Sequence, residues 1–436
     1  MKKNKLMMVG LACLGATCAS ACSPFLFIKQ NTTVVPFAGT TNTIFFALYN
    51  YYGIKDQHFT NKWLGMNDAL ADHGITVTGY EAEKDAKKFK ISYDRANSDL
   101  PSDAKVYMVN NQTWDTGLQY NKPLANQKPM AVISTCNGVE FAANAIKASG
   151  LGTQNATMGG FCTNYYNAFK AGSLSYLVTK YTAHVAPIFA ACVDAVDNGK
   201  AMKNADGTAL SLSVVNWAVK SVEEYETMSA VDQYELNDTV HPTIMKTNLD
   251  QFFDKTSDSY GAQKLVDWLA ASDYEAVKAL YESNENVQDV KRTGRRLKAG
   301  LLVPSSVNDT VQAYMDYMTG YLADVYNVEV KTESITSQNT QSIGCKSLVD
   351  SNVDFIISLQ DDTDRNAAIK IADDNNVFFG IAGTCQNPTD YAATKNYAHY
   401  VGSVGTSIEE ERRAAKEMTE YYLQKMIERT AAQGGK

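Results

Sequence analysis

The sequence has few histidines and no closely paired cysteines, and both shortages limit the chemistry that it can carry. None of the eight cysteines is spaced as Cys-x-x-Cys, which argues against a zinc site. The five histidines are too dispersed to suggest metal ligands or a general base, and we expect them on the surface or in the core. They are His58, His73, His184, His241 and His399. The sequence therefore predicts no metal centre.

Motifs of several catalytic families are also absent. The chain has no G-x-S-x-G elbow, no P-loop, no H-E-x-x-H and no EF-hand loop. Gly150 and Gly152 begin like a dinucleotide fingerprint, but Asn155 stands at the position of its third glycine, and the segment precedes a predicted strand. We therefore predict no cofactor and no enzyme, although acid/base sites without a motif stay open. Binding is the leading class of function.

The first 22 residues have the order of an export signal. Three lysines among the first five residues precede an apolar run at 6–14, and Ala-Ser-Ala at 19–21 stands directly before Cys22. The apolar run is well below the roughly 20 residues that span a bilayer. The small residues before Cys22 resemble the bacterial lipobox, which implies cleavage after residue 21 and a lipid on the Cys22 sulfur. We expect an extracytoplasmic protein, anchored by lipid to the bacterial cell membrane.

The net charge and the remaining cysteines limit the classes of partner and of fold. The formal net charge is −8 at pH 7, and an acidic surface argues against a nucleic-acid partner. The cysteines beyond Cys22 are odd in number and scattered, so they do not indicate a disulfide scaffold. We expect most of them to be small core residues. They are Cys136, Cys162, Cys192, Cys345 and Cys385.

Residues 1–21 are thus a predicted signal peptide, and residues 22–40 are a predicted tether. Over residues 41–200 short β-type runs alternate with helical runs. The alternation predicts an α/β lobe with a mainly parallel, doubly wound sheet. Strands are predicted at 43–49, 75–80, 105–109, 130–134 and 156–161. Helices are predicted at 59–73, 85–96, 139–149 and 165–197, the last of them interrupted or kinked at Pro187.

Residues 201–297 show no strand series and are helical in periodicity over 248–281, which predicts a helical connector or insert. The alternation resumes in 298–430, so the predicted fold class is α/β, with two doubly wound, parallel-sheet lobes that face a cleft and a helical connecting segment. In the second lobe strands are predicted at 299–303, 328–332, 354–359, 377–382 and 399–403, and helices at 310–325, 339–351, 365–375 and 407–427.

The second series resembles the first lobe of the type I periplasmic binding proteins, in particular the ribose- and galactose-type sugar-binding branch. The matching residues are Gly-Leu-Leu-Val-Pro-Ser-Ser at 300–306, Gln341 and Ile343, Val-Asp-Phe-Ile-Ile-Ser at 353–358 and Tyr-Val-Gly-Ser at 400–403. Residues 130–200 are similar to the second lobe of that family, through Ala-Val-Ile-Ser at 131–134 with Asn137 and Gly-Gly-Phe at 159–161.

Two features differ from the family. Gly138 and Cys162 stand where the family usually has an aspartate, so two acids that commonly face its ligand are missing. The lobes also come in the reverse order, which a circular permutation explains: the helix at 407–427 would then lie where the family places the helix that enters its second lobe. The alternative is two similar doubly wound lobes whose assignment is exchanged.

Candidate ligand contacts lie in the loops that follow the strands, because ligands of open parallel sheets bind beyond their carboxyl ends. Their polar groups suit a polar ligand and their rings suit stacking, although Ser, Asn and Asp also favour loops as turn residues. The candidates in the first lobe are Tyr49, Asn50, Tyr52, Asn110, Trp114, Asn137 and Phe161, and those in the second are Ser305, Ser306, Asp309, Gln360, Asp362, Thr384 and Gln386.

The resemblance implies a function for this arrangement. A lipoprotein of this kind would capture a polar small molecule, most simply a sugar, and deliver it to the permease of an ABC importer. The missing cleft acids and the helical segment keep a second class open, a ligand-binding sensor or surface interaction lipoprotein with no role in transport. The partners predicted are therefore a small-molecule ligand, an ABC permease and, through the lipid, a membrane.

Overall fold

The computed structural model describes residues 34–48, 57–82, 88–95, 97–110, 127–134, 150–232 and 241–434. The strands in these ranges form two sheets. The strands are β1 Thr41–Leu48, β2 Thr76–Ala82, β3 Lys88–Asp94, β4 Lys105–Asn110, β5 Pro129–Ser134, β6 Gln154–Met158, β7 Leu174–Thr179, β8 Leu210–Ser213, β9 Trp217–Val219, β10 Leu297–Pro304, β11 Val328–Ile335, β12 Phe355–Ser358, β13 Phe378–Thr384 and β14 Tyr400–Thr406.

The helices pack on these sheets and link them. A 3₁₀ turn, Thr182–Val185, leads into α3, and α8 continues through a π-helical turn, Met318–Leu322, to a last turn at Ala323–Val325. The helices are α1 Gln57–Asp72, α2 Thr163–Lys170, α3 Ala186–Asn198, α4 Val222–Asp232, α5 Lys246–Phe253, α6 Ala262–Ala270, α7 Tyr274–Ser283, α8 Asp309–Tyr317, α9 Gln341–Asp350, α10 Arg365–Asp374, α11 Pro388–Thr394 and α12 Ile408–Ala432.

Five neighbouring parallel strands have the same order in the two sheets. The first sheet runs β2-β3-β4-β1-β5-β6-β7-β9, and its strands from β4 to β7 are parallel. The second sheet runs β11-β10-β12-β13-β14-β8 and is parallel throughout. In the first sheet β4 lies on one side of β1, and β5, β6 and β7 lie on the other. In the second sheet β11 lies on one side of β10, and β12, β13 and β14 lie on the other, which is again the doubly wound arrangement. The predicted fold class is confirmed.

The central strands are apolar because they are covered on both faces. Every residue of β5 and of β14 is buried, and in β10 only Lys298 is exposed. Strands of parallel sheets lie between two layers of helices and therefore carry continuous apolar runs. This is why the predicted strands at 130–134, 299–303 and 399–403 match the structure closely.

Two predicted helices are wrong. Residues 88–94 form β3, which pairs antiparallel with β2, and their sequence KFKISYD alternates polar and apolar residues with the period of a strand. Residues 165–197 contain α2, β7 and α3 where one helix was predicted. Gly172, with φ of 71°, follows the end of α2, and Pro187 lies in the first turn of α3, so it begins a helix and does not kink one.

The segment at 201–297 contains two short strands before its helices. Strand β8 pairs with β14 in the second sheet, and β9 pairs antiparallel with β7 in the first. Neither strand is among those predicted from the sequence. The four helices at 222–283, α4 to α7, are called the connector below.

Two helices cross from one lobe to the other. Helix α3 follows β7 of the first sheet but packs on β12, β13 and β14 of the second. Helix α12 follows β14 of the second sheet but packs against α1 and contacts β5 and β7 of the first. One apolar core extends through both lobes and the connector, and it includes Phe161, Tyr225, Leu249, Leu301 and Val401. No helix in the described part of the chain is long and apolar enough to cross a bilayer.

Candidate functional site

A cavity of about 330 Å³ lies between the two lobes, at the carboxyl ends of strands from both sheets. It is called the cleft below. Its lining combines hydroxyl and amide groups, four charged side chains and several apolar side chains. The lining residues are Lys62, Met158, Gly159, Gly160, Val178, Thr179, Lys180, Asn216, Asn308, Thr310, Val311, Tyr314, Leu359, Asp361, Ala382, Gly383, Thr384, Thr406 and Glu411.

The lobes touch across the cleft where Gly160 meets Thr310. A Cβ atom at Gly160 would lie 2.2 Å from Oγ1 of Thr310, which is far inside van der Waals contact. Gly160 follows β6 of the first sheet, and Thr310 is in the first turn of α8 in the second lobe. Glycine at 160 therefore allows the lobes to approach this closely.

Lys180 links the lobes at the floor of the cleft. It directly follows β7, and its Nζ donates hydrogen bonds to the carbonyl oxygen of Gly383 and, at 3.3 Å, to Oγ1 of Thr406. Desolvation lowers the pKa of Lys180 to about 8, and the Glu411 carboxylate opposes part of that shift. The side chain is thus a cation in a partly dehydrated place, bonded to neutral oxygens.

The other charged side chains of the cleft are held in ion pairs. Nζ of Lys62 lies 3.3 Å from Oε1 of Glu411, which joins α1 to α12. Oδ1 of Asp361 lies 2.9 Å from Nη1 of Arg365, whose side chain is buried at the start of α10. These two pairs leave Lys180 as the cation of the lining whose charge has no carboxylate partner within 4.0 Å in the described part of the chain.

Beneath the cleft lies a group of buried polar rings. Nδ1 of His184 donates to the carbonyl oxygen of Tyr181, and the His184 ring meets Tyr314 edge to face with centroids 5.0 Å apart. Burial, together with the charge of Lys180, holds the pKa of His184 well below its usual range, so the imidazole is neutral. Among the described residues neither Nε2 of His184 nor the hydroxyl of Tyr314 has a hydrogen-bond partner.

Asp232 fixes the crossover between the lobes. This buried carboxylate at the end of α4 accepts hydrogen bonds from the backbone N–H of Thr182 and, at 3.0 Å, from its Oγ1. Burial raises the pKa of Asp232 to about 7, although the bonds from Thr182 lower it in part. The connector therefore holds the 3₁₀ turn that leads from the first lobe into the second.

The structure places few of the predicted contacts in the cleft. Thr384 lines it, and so does Asp361, the neighbour of the predicted Asp362. Asp362 instead accepts hydrogen bonds from Nε2 of Gln341 at 2.8 Å and from the backbone N–H of Asp364 at 2.9 Å. It orders the loop before α10, so its carboxylate is already occupied.

Other predicted contacts lie outside the lining. Phe161 is 2% exposed and packs edge to face against Tyr225, so it belongs to the core. Gln360 is buried, and its carbonyl oxygen accepts a hydrogen bond from Gln341. Gln386 is also buried and accepts from the hydroxyl of Tyr400. The exposed residues Ser305, Ser306 and Asp309 follow β10 but do not line the cleft.

For the remaining predicted contacts the structure does not describe the side chain. Asn110 is the last residue of β4, at the carboxyl end of that strand. Cys22 and five predicted contacts lie outside the described residues, namely Tyr49, Asn50, Tyr52, Trp114 and Asn137. The prediction for the cysteines is confirmed at four positions, since Cys162, Cys192, Cys345 and Cys385 are free and buried.

Sequence reasoning missed Lys180, and the signal that identifies it is the strand before it. Residues 174–179 were assigned to a long helix, so no loop was sought at 180. If LSYLVT is recognised as a buried strand, Lys180 becomes the first residue after its carboxyl end and follows from the same rule that selected Thr384. The described residues contain no group of three or more His, Cys, Asp or Glu side chains that could hold a metal ion.

No protein-family model and no curated protein matches the chain. Solved structures match most of its length at low identity. An ABC transporter solute-binding protein from Mycobacterium smegmatis with bound glycerol is 8% identical, with a TM-score of 0.44 and 88% of each chain covered. One from Clostridium phytofermentans with bound L-rhamnose is 9% identical, with a TM-score of 0.41 and coverage of 89% of this chain and 83% of that chain.

A periplasmic-binding ribose operon repressor protein from Lactobacillus acidophilus is 9% identical, with a TM-score of 0.39 and coverage of 90% of this chain and 92% of that chain. All three TM-scores are below 0.5 and all three identities are below 10%. These similarities therefore identify neither a ligand nor a partner of this chain.

Proposed function

We propose that this protein is an extracytoplasmic lipoprotein that binds a polar, sugar-like small molecule in its cleft and delivers it to an ABC importer. One observation carries the proposal: strands of two parallel sheets end at the same cavity. Asn308, Thr310 and Thr384 offer amide and hydroxyl groups to ligand hydroxyls, while Val178 and Leu359 offer apolar surface to carbon atoms. A concave, mixed lining of about 330 Å³ is typical of a site for a small metabolite.

Thermal unfolding tests the binding function. The chain from residue 23 onward is heated with sugars, polyols, nucleosides or amino acids, because a ligand that binds only the folded state raises the unfolding midpoint. We expect a hit whose effect is lost in Thr384→Val and kept in the control Ser306→Ala, which alters an exposed residue outside the cleft. A rise in the midpoint that persists in Thr384→Val would mean that the ligand binds outside the cleft. If no compound raises the midpoint, the proposal is rejected.

The lipid anchor rests on the residues before Cys22. Expressed in a bacterium, the full chain is expected to enter the detergent phase on phase separation, with a mass that corresponds to a lipidated Cys22. Cys22→Ala is expected to stay in the aqueous phase, whereas the control Cys18→Ala behaves like the parent chain. Membrane association that survives Cys22→Ala would contradict the anchor.

The connectivity supports a circular permutation relative to the type I periplasmic binding proteins. Each crossing helix, α3 and α12, follows a strand of one sheet and packs on the other. The first and last parts of the described chain also lie together. Nη1 of Arg429 donates to Oγ1 of Thr40 at 2.8 Å, and Nδ2 of Asn42 donates to Oγ1 of Thr430 at 3.1 Å. Adjacent ends are the geometric condition for permutation.

A rearranged chain tests this connectivity. Residue 434 is joined to residue 34 by a short Gly-Ser linker, and the chain is opened between residues 293 and 294, where the backbone is exposed. This restores the order second sheet, α12, first sheet. We expect the rearranged chain to unfold cooperatively near the midpoint of the parent. Failure to fold, in parallel with success of a control opened between residues 256 and 257, would contradict the permutation.

A sensor without a role in transport is the second candidate, and the connector favours it. Tyr225 of the connector bonds the backbone of Cys162 in the first lobe, and Ile244, between its first two helices, accepts a hydrogen bond from Tyr317 of the second. A segment bonded to both lobes resists the opening on which delivery depends. Small-angle scattering with and without ligand separates the candidates: a smaller radius of gyration with ligand supports delivery, and an unchanged one supports the sensor.

A further inference from the structure

The charges of the cleft are balanced except at one point. Lys62 is paired with Glu411 at 3.3 Å, and Asp361 is paired with the buried Arg365 at 2.9 Å. No carboxylate oxygen of the described residues lies within 4.0 Å of Nζ of Lys180. The lining therefore presents one positive charge that the protein itself does not neutralise by contact.

The hydrogen bonds of Lys180 leave part of its ammonium unused. An ammonium group has three donors. Two of them are directed at the carbonyl oxygen of Gly383 and at Oγ1 of Thr406, and both acceptors are neutral. A cation taken partly out of water is stabilised poorly by neutral acceptors, and an anion placed beside it would offset that cost. The lowered pKa of Lys180, about 8, has the same physical cause.

We infer that the cleft takes a hydroxylated organic monocarboxylate, a sugar acid, whose carboxylate binds Nζ of Lys180. This inference rests on the proposed function and specifies its ligand. Hydroxyls of the ligand meet the side chains of Asn308, Thr310 and Thr384, which line the cleft from the second lobe. The single uncompensated charge selects a monoanion over a phosphate dianion, because a second negative charge would find Lys62 already engaged by Glu411.

Matched ligand pairs test the inference. D-gluconate and D-glucitol differ only in the carboxylate, and D-glucuronate and D-glucose form a second such pair. Isothermal titration is carried out on the chain from residue 23 and on Lys180→Gln, Lys180→Arg and the control Lys200→Gln, which alters an exposed lysine. We expect an acid to bind the parent about tenfold or more tightly than its neutral twin. Lys180→Gln removes that preference, while Lys180→Arg and Lys200→Gln retain most of it.

The pH dependence of the affinity for the acid distinguishes a lysine that binds the ligand from one with a purely structural role. The charged and titratable groups that face Lys180 are Glu411, Lys62, Cys385 and His184. Burial raises the pKa of Cys385 to about 12 and lowers that of His184 well below its usual range, so neither titrates near pH 8. The affinity for the acid is expected to fall by up to about tenfold per pH unit above 8 in the parent and in Lys200→Gln, and to stay level in Lys180→Gln.

The possible results distinguish a failure of the predicted preference for an acid from a failure of the proposed binding function. If a neutral sugar binds the parent as tightly as its acid, the inference is overturned and the binding function stands. The inference also fails if the preference for the acid survives Lys180→Gln in a variant that keeps the far-ultraviolet circular dichroism of the parent. If no compound of either kind binds while the protein is folded, the proposed function fails, and the inference fails with it.

Discussion

The hydroxyl of Tyr225 accepts a hydrogen bond from the backbone N–H of Cys162 and donates one to the carbonyl oxygen of the same residue, each at 2.8 Å. One side chain of the connector thus satisfies both backbone groups of the residue that precedes α2. The phenol ring also packs edge to face against Phe161, with centroids 5.1 Å apart. The connector is therefore bonded into the first lobe beside the cleft.

Tyr225→Phe is expected to lower the free energy of unfolding by about 1 to 3 kcal/mol, because it leaves the buried N–H of Cys162 without its partner. The carbonyl oxygen of Cys162 keeps a second hydrogen bond, from the backbone N–H of Tyr166 at 3.2 Å. Urea denaturation measures the change. Tyr260→Phe is the control, since Tyr260 is 42% exposed, and we expect no change there. Equal stability of Tyr225→Phe and the parent would show that the connector does not hold the first lobe through this bond.

Asp232 makes stability depend on pH. Its pKa is about 7 in the folded protein and near 3.8 in the unfolded chain, so between these values the folded state binds more protons. Its contribution is complete below pH 4 and is lost as the pH rises to 7, by at most about 1.4 kcal/mol per pH unit. In Asp232→Asn, unfolding curves recorded from pH 4 to 8 are expected to show a slope that is shallower by up to this amount. The part that persists comes from groups such as Asp194, whose pKa is raised by burial to about 6. The exposed control Asp258→Asn keeps the full slope.

His73 acts in the same direction in another part of the protein. Burial lowers its pKa, but hydrogen bonds to Glu420 and Asp99 outweigh burial and raise the pKa above the usual 6.5. Its stabilising contribution is therefore present below pH 6.5 and is lost as the pH rises through the folded-state value. His73→Gln is expected to remove this loss, measured as the pH dependence of the thermal midpoint in an Asp232→Asn background. An unchanged slope would contradict the assignment.

Gly160→Ala is expected to separate the lobes, because the added methyl group would lie 2.2 Å from Oγ1 of Thr310. We expect a larger radius of gyration by small-angle scattering and about tenfold weaker binding of any cleft ligand. The control is Gly320→Ala, since a Cβ at that glycine meets nothing within 4 Å. Unchanged scattering and affinity in Gly160→Ala would mean that the contact between the lobes does not set the shape of the cleft.

The second sheet could be predicted almost strand by strand, whereas parts of the first could not. In the second lobe each buried strand is followed by an amphipathic helix, so the two periods alternate cleanly. In the first lobe LSYLVT lies between two helical segments, and a short buried strand has no period that separates it from a buried helix. Lys180, which directly follows that strand, is therefore not predicted as a contact either.

The cleft shows a second reason why its lining residues cannot all be predicted from the sequence. The rule that ligands bind at the carboxyl ends of strands selected the correct loop after β12 but the wrong aspartate. Asp361 lines the cleft, whereas its neighbour Asp362 is held by Gln341. Which of two adjacent side chains faces a cavity depends on a contact 21 residues away in the chain, and no local pattern encodes that contact.

The apolar core that extends from one lobe through the connector into the other also bears on how such a chain can be modified. Each lobe has a smaller core of its own, but the largest is shared and includes Phe161, Tyr225 and Val401. Exchanging one lobe for that of a relative would cut through packed side chains rather than through a linker. Chimeras with a foreign lobe are therefore expected to be insoluble, and new ligand preferences are better sought by substitution within the cleft.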